Sequence, residues 1–295
     1  MVLTGPSSSM GVWALKKCIS TVSLGGTLVE KIEAIAAAGF DGIELFDADL
    51  RGSGLSAGEV ARRCRDVGLD IECYQPFRRA EGVPDEEFAD VIARFTAELT
   101  VMRGLGTDTI VIVSNTDPDA IADPDHSAAQ LAALGAIAAD HGMGIMFEAL
   151  SWGTQISRVA HAWDVLQRAG YPRQSLVLDT FHLLALDDDA RDVAALPPDA
   201  LGLVQLADAP ALTMDLIQWS RNHRCFPGEG DLDVTDATRA ALGAGFDGAV
   251  SLEIFNPRYR ELPPRQIAQR GADALNDLLA RCECTAWDRP LSLTA

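Results

Sequence analysis

The chain has 295 residues, of which 48% are hydrophobic and 23% charged, with a mean hydropathy of +0.08. This is the composition of a folded, water-soluble protein, and it excludes disorder on the scale of the chain. With 24 Lys and Arg against 43 Asp and Glu, the formal net charge is -19, a field that repels nucleic-acid backbones and anionic lipid headgroups.

The first residues are small and polar, and Met10 is a second candidate start. No signal peptide is expected: the apolar stretch 11–15 is too short, and Lys16-Lys17 follow it instead of preceding it. Residues 1–15 are expected to form a flexible segment. From there the chain alternates short runs rich in Val, Ile and Leu with longer Ala- and Leu-rich stretches of helical period. Strands are predicted over 17–23, 42–46, 69–75, 109–115, 144–150, 175–180, 201–207 and 249–256. Helices are predicted over 27–38, 56–67, 85–103, 127–140, 158–169, 191–196, 233–244 and 265–281. The turn Ala38-Gly39-Phe40-Asp41-Gly42 recurs as Ala244-Gly245-Phe246-Asp247-Gly248, a glycine supplying the left-handed residue that ends a helix. The longest apolar stretch, 131–146, is broken by Gly135, Asp140, His141 and Gly142, so no membrane span is expected.

Eight strand–helix units without a Gly-rich dinucleotide fingerprint predict a single-domain (β/α)8 TIM barrel over 16–281, followed by a tail over 282–295. That tail, with Trp287 and Pro290, leaves a subunit contact and a homo-oligomer open. The six cysteines show neither a disulfide framework nor a zinc spacing, which suits reduced thiols in a cytoplasmic protein.

In such a barrel, function sits at the C-terminal strand ends. Four late strands place an oxygen donor there after a buried apolar run: Glu148, Asp179, Gln205 and Glu253. Three carboxylates meeting at one mouth repel each other, and a divalent cation removes that cost. All-oxygen donors suit a hard ion such as Mg2+, Mn2+ or Co2+. His182 follows Asp179 by three residues, so a chain turn after Asp179 brings it over the mouth, where it suits proton transfer. The long segment 209–232 contains Ser220, Arg221 and Arg224; Ser220 and Arg224 are candidates to grip a substrate carboxylate, and Arg221 is read as a surface residue. Arg78, after the third strand, is a further anion contact, while Arg79 faces solvent. Glu44, Phe46, Ser114 and Asn115 end early strands and are candidates for supporting contacts.

The segments Phe147-Glu148-Ala149-Leu150-Ser151-Trp152-Gly153, Leu178-Asp179-Thr180-Phe181-His182, Val204-Gln205-Leu206-Ala207-Asp208-Ala209-Pro210, Gln218-Trp219-Ser220-Arg221, Arg224-Cys225-Phe226-Pro227-Gly228 and Ser251-Leu252-Glu253-Ile254-Phe255-Asn256 together resemble bacterial 3-dehydroshikimate dehydratases. These belong to the xylose isomerase-like sugar phosphate isomerase/epimerase barrels. Earlier segments agree, among them Gly39-Phe40-Asp41-Gly42-Ile43-Glu44-Leu45-Phe46 and Tyr74-Gln75-Pro76-Phe77-Arg78, so the likeness runs from about residue 18 to 258. The chain departs from the family pattern at Arg79-Ala80 and Val83.

The resemblance implies a divalent ion on Glu148, Asp179, Gln205 and Glu253, with His182 as catalytic acid/base and Arg78, Ser220 and Arg224 on substrate. It also implies dehydration of 3-dehydroshikimate, a small anion, to protocatechuate through an enediolate, without nucleic acid or membrane as partner. A sugar or cyclitol isomerase/epimerase or an inosose dehydratase on the same barrel is the alternative. A related nuclease would need a His-rich zinc cluster and a basic face, which five His and a charge of -19 do not supply. A barrel with a dead site would not need the full donor set.

Overall fold

The structure, a computed structural model, describes residues 15–283. Eight parallel strands close on themselves in chain order. They are β1 (Lys16–Ser20), β2 (Gly42–Phe46), β3 (Asp70–Phe77), β4 (Thr109–Val113), β5 (Gly144–Glu148), β6 (Gln174–Asp179), β7 (Leu201–Leu206) and β8 (Ala249–Leu252). The predicted barrel is therefore the observed one. The expected flexible start and the tail, with Met10, Trp287 and Pro290, lie largely outside the described residues.

Side chains alternate between two cores because a strand sends successive residues to opposite faces. Outward residues such as Ile43, Leu45, Ile145, Phe147, Leu178 and Val204 pack against the surrounding helices. Inward residues Cys18, Cys73, Val111, Met146, Val177, Leu203 and Ala249 form a separate apolar plug inside the barrel. Two residues further along the same strands lie Gln75, Glu148, Asp179, Gln205 and Ser251, all buried. The barrel is thus a hydrophobic floor with a polar layer above it.

The outer helices are α1 (Leu28–Ala37), α2 (Asp47–Ser53), α3 (Ala57–Asp66), α4 (Asp85–Leu105), α5 (Pro124–Asp140), α6 (Val159–Ala169), α7 (Thr180–Leu184), α8 (Ala190–Ala194), α9 (Leu216–His223), α10 (Val234–Gly243), α11 (Pro257–Arg260) and α12 (Pro264–Glu283). Capping boxes start α1 at Thr27/Glu30 and α3 at Ser56/Glu59, each partner satisfying the other's free backbone N–H. Gly39 and Gly245, in the repeated turns, have φ of 80° and 97°. Four helices escape the sequence reading: α2, α7, α9 and α11. Each is short and follows a strand's C-terminal end, where no apolar period can develop. Three of them start on a side-chain cap: Asp179 for α7, Asp215 for α9 and Asn256 for α11. No helix among the described residues is long and apolar enough to cross a membrane. The described cysteines form no disulfide.

Candidate metal centre and active site

The strand register brings the polar layer together. Asp179 lies beside Gln205, and Gln205 beside Ser251. Asp179 ends β6 and caps α7 in the same stroke: its Oδ1 accepts from the N–H of Phe181 at 2.7 Å and of His182 at 3.4 Å. The helix that starts there carries His182 back over the mouth, since residues three apart share a helix face. Its Nε2 lies 3.5 Å from Glu148 Oε1 and 3.8 Å from Asp179 Oδ2. Glu148, Asp179 and His182 each offer a ligand atom within 4.8 Å of the others, and together they could hold a metal ion.

Two glutamines tie the remaining carboxylates to this group. Gln75 Nε2 donates to Glu253 Oε1 at 2.7 Å, and Gln205 Nε2 donates to Glu44 Oε2 at 2.7 Å. With its nitrogen so engaged, Gln205 keeps a buried Oε1 that has no hydrogen-bond partner; Glu44 Oε1 is in the same position. Burial above all, then the charge of Glu253, pushes Glu44 up to about 8. Burial likewise raises Glu148 and Glu253, with neighbouring carboxylates adding to both. Buried acids that repel one another beside an unserved amide oxygen are a donor set that fits a hard divalent cation.

Arg224 supplies part of the missing positive charge. It is 1% exposed and every guanidinium nitrogen is engaged. Nη1 donates to Asp179 Oδ2 at 2.7 Å and to Glu253 Oε2 at 3.1 Å, and Nε donates to Ser220 Oγ at 3.2 Å. Nη2 lies 3.1 Å from His182 Nε2. Arg224 and Ser220 are thus at the centre, as the sequence places them, but their hydrogen bonds are to the acidic layer and to each other. Arg78 sits at the rim, with its side chain 47% exposed and 3.8 Å from Asp47.

His182 is balanced between two tautomers. The Ser151 N–H donates to Nδ1 at 3.1 Å, and Ser151 Oγ lies 3.0 Å from the same atom. A proton on Nε2 satisfies Ser151 N–H and sets two donors, Nε2 and Arg224 Nη2, face to face. A proton on Nδ1 can go to Ser151 Oγ, leaves Nε2 to accept from Arg224, and costs the Ser151 N–H its acceptor. Neither form is locked, which suits a group that both takes and gives a proton. Burial pulls the ring down to about 3, so it is neutral at ordinary pH. Trp152 meets the ring edge-on with centroids 4.9 Å apart.

The space directly above these groups measures about 20 Å³, roughly one water molecule. Beside it opens a cleft of about 550 Å³, and Phe46, Arg221 and Phe255 form the wall that the two share.

Asp208 holds the segment that carries Ser220, Arg221 and Arg224. Its Oδ1 accepts from the N–H of Ala209 at 2.7 Å and of Leu232 at 3.0 Å; its Oδ2 accepts from Gly228 at 2.9 Å and Gly230 at 3.1 Å. A paired backbone bridge links Asp208 to Cys225. Glu81 plays a similar part nearby, accepting from Asn115 N–H at 2.7 Å and from Ser127 Oγ at 2.8 Å. Asn115 and Ser114 are therefore loop supports, the latter accepting from Leu150 N–H at 3.0 Å. Arg79 faces solvent as expected, its side chain 56% exposed. The sequence reading gave Asp208, Glu81, Gln75 and Ser151 no role. Two left a signal: Asp208, an acid placed just past a strand end before a Gly-rich return, and Gln75, an amide at the end of the strand expected over 69–75.

A model of the family described as xylose isomerase-like TIM barrel matches residues 32–278. The chain is 43% identical over 261 residues to a Pseudomonas aeruginosa protein named 3-dehydroshikimate dehydratase, a match covering 88% of this chain and 41% of that protein. The chain thus spans less than half the length of this bacterial relative. A Neurospora crassa protein of the same name is 29% identical, with 87% of this chain and 91% of that protein covered. A solved structure titled xylose isomerase-like TIM barrel/4-hydroxyphenylpyruvate dioxygenase fusion protein superposes with a TM-score of 0.90 at 38% identity, covering 95% of this chain and 46% of that one.

Proposed function

The chain belongs to the xylose isomerase-like TIM barrel family, and on that premise we propose that it is a metal-dependent 3-dehydroshikimate dehydratase, a hydro-lyase that forms protocatechuate and water. One observation carries the reading: a buried acidic layer and a neutral, tautomerically balanced histidine share one barrel mouth, in a chain 43% identical to a protein of that name. In this reading Glu148, Asp179, Gln205 and Glu253 hold a divalent ion, with Mg2+, Mn2+ or Co2+ the candidates that oxygen donors favour. Such an ion supplies Lewis acidity to the substrate's ketone oxygen when bound.

The protein's own groups do the rest. His182 takes the proton from the carbon beside the ketone at Nε2, the ring nitrogen that faces Glu148 and Asp179. Ser151 steadies Nδ1 in either tautomer. The enediolate then expels the neighbouring hydroxyl, and the ring returns the proton to it as water leaves. The resulting dienone becomes aromatic on losing one further proton, which makes the overall step downhill and needs no redox partner. Arg224 bridges Asp179 and Glu253 and offsets their mutual repulsion; Ser220 beside it is a substrate contact in this reading, and Arg78 guards the rim. The net charge of -19 fits a small-molecule substrate better than a nucleic acid, and we place the enzyme in the cytoplasm.

The test is direct. The purified chain, loaded in turn with Mg2+, Mn2+ and Co2+, is mixed with 3-dehydroshikimate and followed by ultraviolet absorbance. Growth of the catechol band is the expected result. No product with any of the three ions, or turnover of an inosose or ketose instead, overturns the proposal.

A further inference from the structure

Arg221 stands apart from the other arginines around the mouth. Arg224 is tied to Asp179 and Glu253, Arg78 approaches Asp47, and Arg260 donates to the Val22 carbonyl at 2.9 Å. The Arg221 guanidinium makes no hydrogen bond or ion pair among the described residues. In a chain with 43 acidic residues against 24 basic ones, a half-buried guanidinium that feels Glu253 and Glu148 only at a distance and touches no carboxylate is not explained by the surface. What holds it is aromatic: its guanidinium carbon lies 4.3 Å from the centre of the Phe255 ring and 5.7 Å from that of Trp152. Stacking uses the faces of the guanidinium plane and leaves its N–H edges unspent, the edges that engage a carboxylate through two parallel hydrogen bonds.

Its place in the fold gives that edge a target. Arg221 ends the wall between the narrow space over the acidic layer and the 550 Å³ cleft beside it. An anion arriving through the cleft meets this guanidinium before it meets the buried acids, which would repel it. Lys31 also lines the cleft, but its Nζ is taken by Asp49 at 2.7 Å and by the Thr21 carbonyl at 2.9 Å. Arg221, one residue after Ser220 and three before Arg224, is carried by the same short helix that faces the centre.

We propose that Arg221, clamped between Phe255 and Trp152, is the residue that receives the carboxylate of a ring-bearing acid and so sets the preference for acidic over neutral substrates. The assignment rests on the dehydratase reading for the identity of the acid, though not for the presence of an anion site. It also moves the carboxylate contact away from Arg224, whose nitrogens are all engaged.

Two ligands separate these claims. Protocatechuate carries the carboxylate; catechol is the same ring without it. Calorimetric titration of each into the metal-loaded wild type and into Arg221→Met and Arg258→Met, the latter at an exposed arginine of α11, is the experiment, with circular dichroism to verify the fold. Arg221→Met is expected to weaken protocatechuate binding roughly 10- to 100-fold, the range for a charge-assisted hydrogen-bond pair, and to leave catechol within about 2-fold. Arg258→Met is expected to change either by less than about 3-fold. Equal losses for both ligands, no loss for either, failure of the wild type to bind protocatechuate, or a larger loss in Arg258→Met would each overturn the assignment. If the wild type turns over no 3-dehydroshikimate yet its protocatechuate binding depends on Arg221, the dehydratase reading fails and the anion site stands.

Discussion

Replacing Asp208 by Ala removes the post to which the segment 209–232 is fastened. The carboxylate accepts four backbone N–H groups and is itself 1% exposed. Each such charge-assisted bond contributes about 1.5–3 kcal/mol, so a simple sum gives about 6–12 kcal/mol. The sum is too large, because Gly228 is exposed and water can reach its N–H once the carboxylate is gone. A loss of about 3–5 kcal/mol is the expected range, or a fall in Tm of roughly 6–15 °C for a domain of this size. Amide exchange followed by mass spectrometry, alongside thermal melts, reads both local and global effects. Protection should fall first in 225–232 and in α9, while the metal content should hold, since the Asp208 carboxylate hydrogen-bonds only to Ala209, Gly228, Gly230 and Leu232 and to none of the proposed donors. Asp208→Asn should lie between, keeping one oxygen and turning the other into a donor facing donors. Unchanged protection across 225–232, or a melt within about 2 °C of the parent, would refute the idea that this acid organises the loop.

His182→Ala should retain the metal by elemental analysis and lose about 100- to 10,000-fold in turnover; loss of the ion together with turnover would make the histidine a ligand instead. Glu253→Ala should copurify with far less metal than the parent, and equal metal content would remove Glu253 from the donor set. Burial raises the Glu81 carboxyl above its ordinary range, so the folded state binds its proton more tightly than the unfolded state and stability falls as pH climbs through that window. Glu81→Gln should therefore gain on the wild type in urea melts as pH rises above the ordinary carboxyl range of about 4, and a gap that narrows with rising pH would contradict the sign.

Much of this architecture is legible before folding, and the reasons are local. All eight strands are found because a parallel barrel buries both strand faces and writes them as near-continuous apolar runs. Their ends are less readable: the strand expected over 249–256 stops at Leu252, and Glu253 continues the inward alternation one residue beyond it, its N–H still donating to the Leu206 carbonyl at 3.3 Å. The proposed donors Glu148, Asp179, Gln205 and Glu253 could be picked out because polar residues interrupt those runs at equivalent positions. Arg221 could not. Its significance comes from two rings, Trp152 and Phe255, separated from it by more than thirty positions in either direction. Nor does spacing disclose that Arg224 lies among carboxylates: the sequence offers it as a grip on substrate, and its partners Asp179 and Glu253 stand far from it along the chain.

The fastening of the segment 209–232 at both ends has an evolutionary consequence. Between its anchors, residues 211–215 are exposed, and Leu212 and Met214 there are each 40% accessible. Insertions at that tip would raise the entropy of closing it by only about 0.6 kcal/mol per doubling of length. The tip can therefore lengthen, shorten or change character in descendants of this chain, while Asp208 keeps Ser220 and Arg224 in register with the chemistry beneath. New reach over the mouth is open to mutation without renegotiating the reaction.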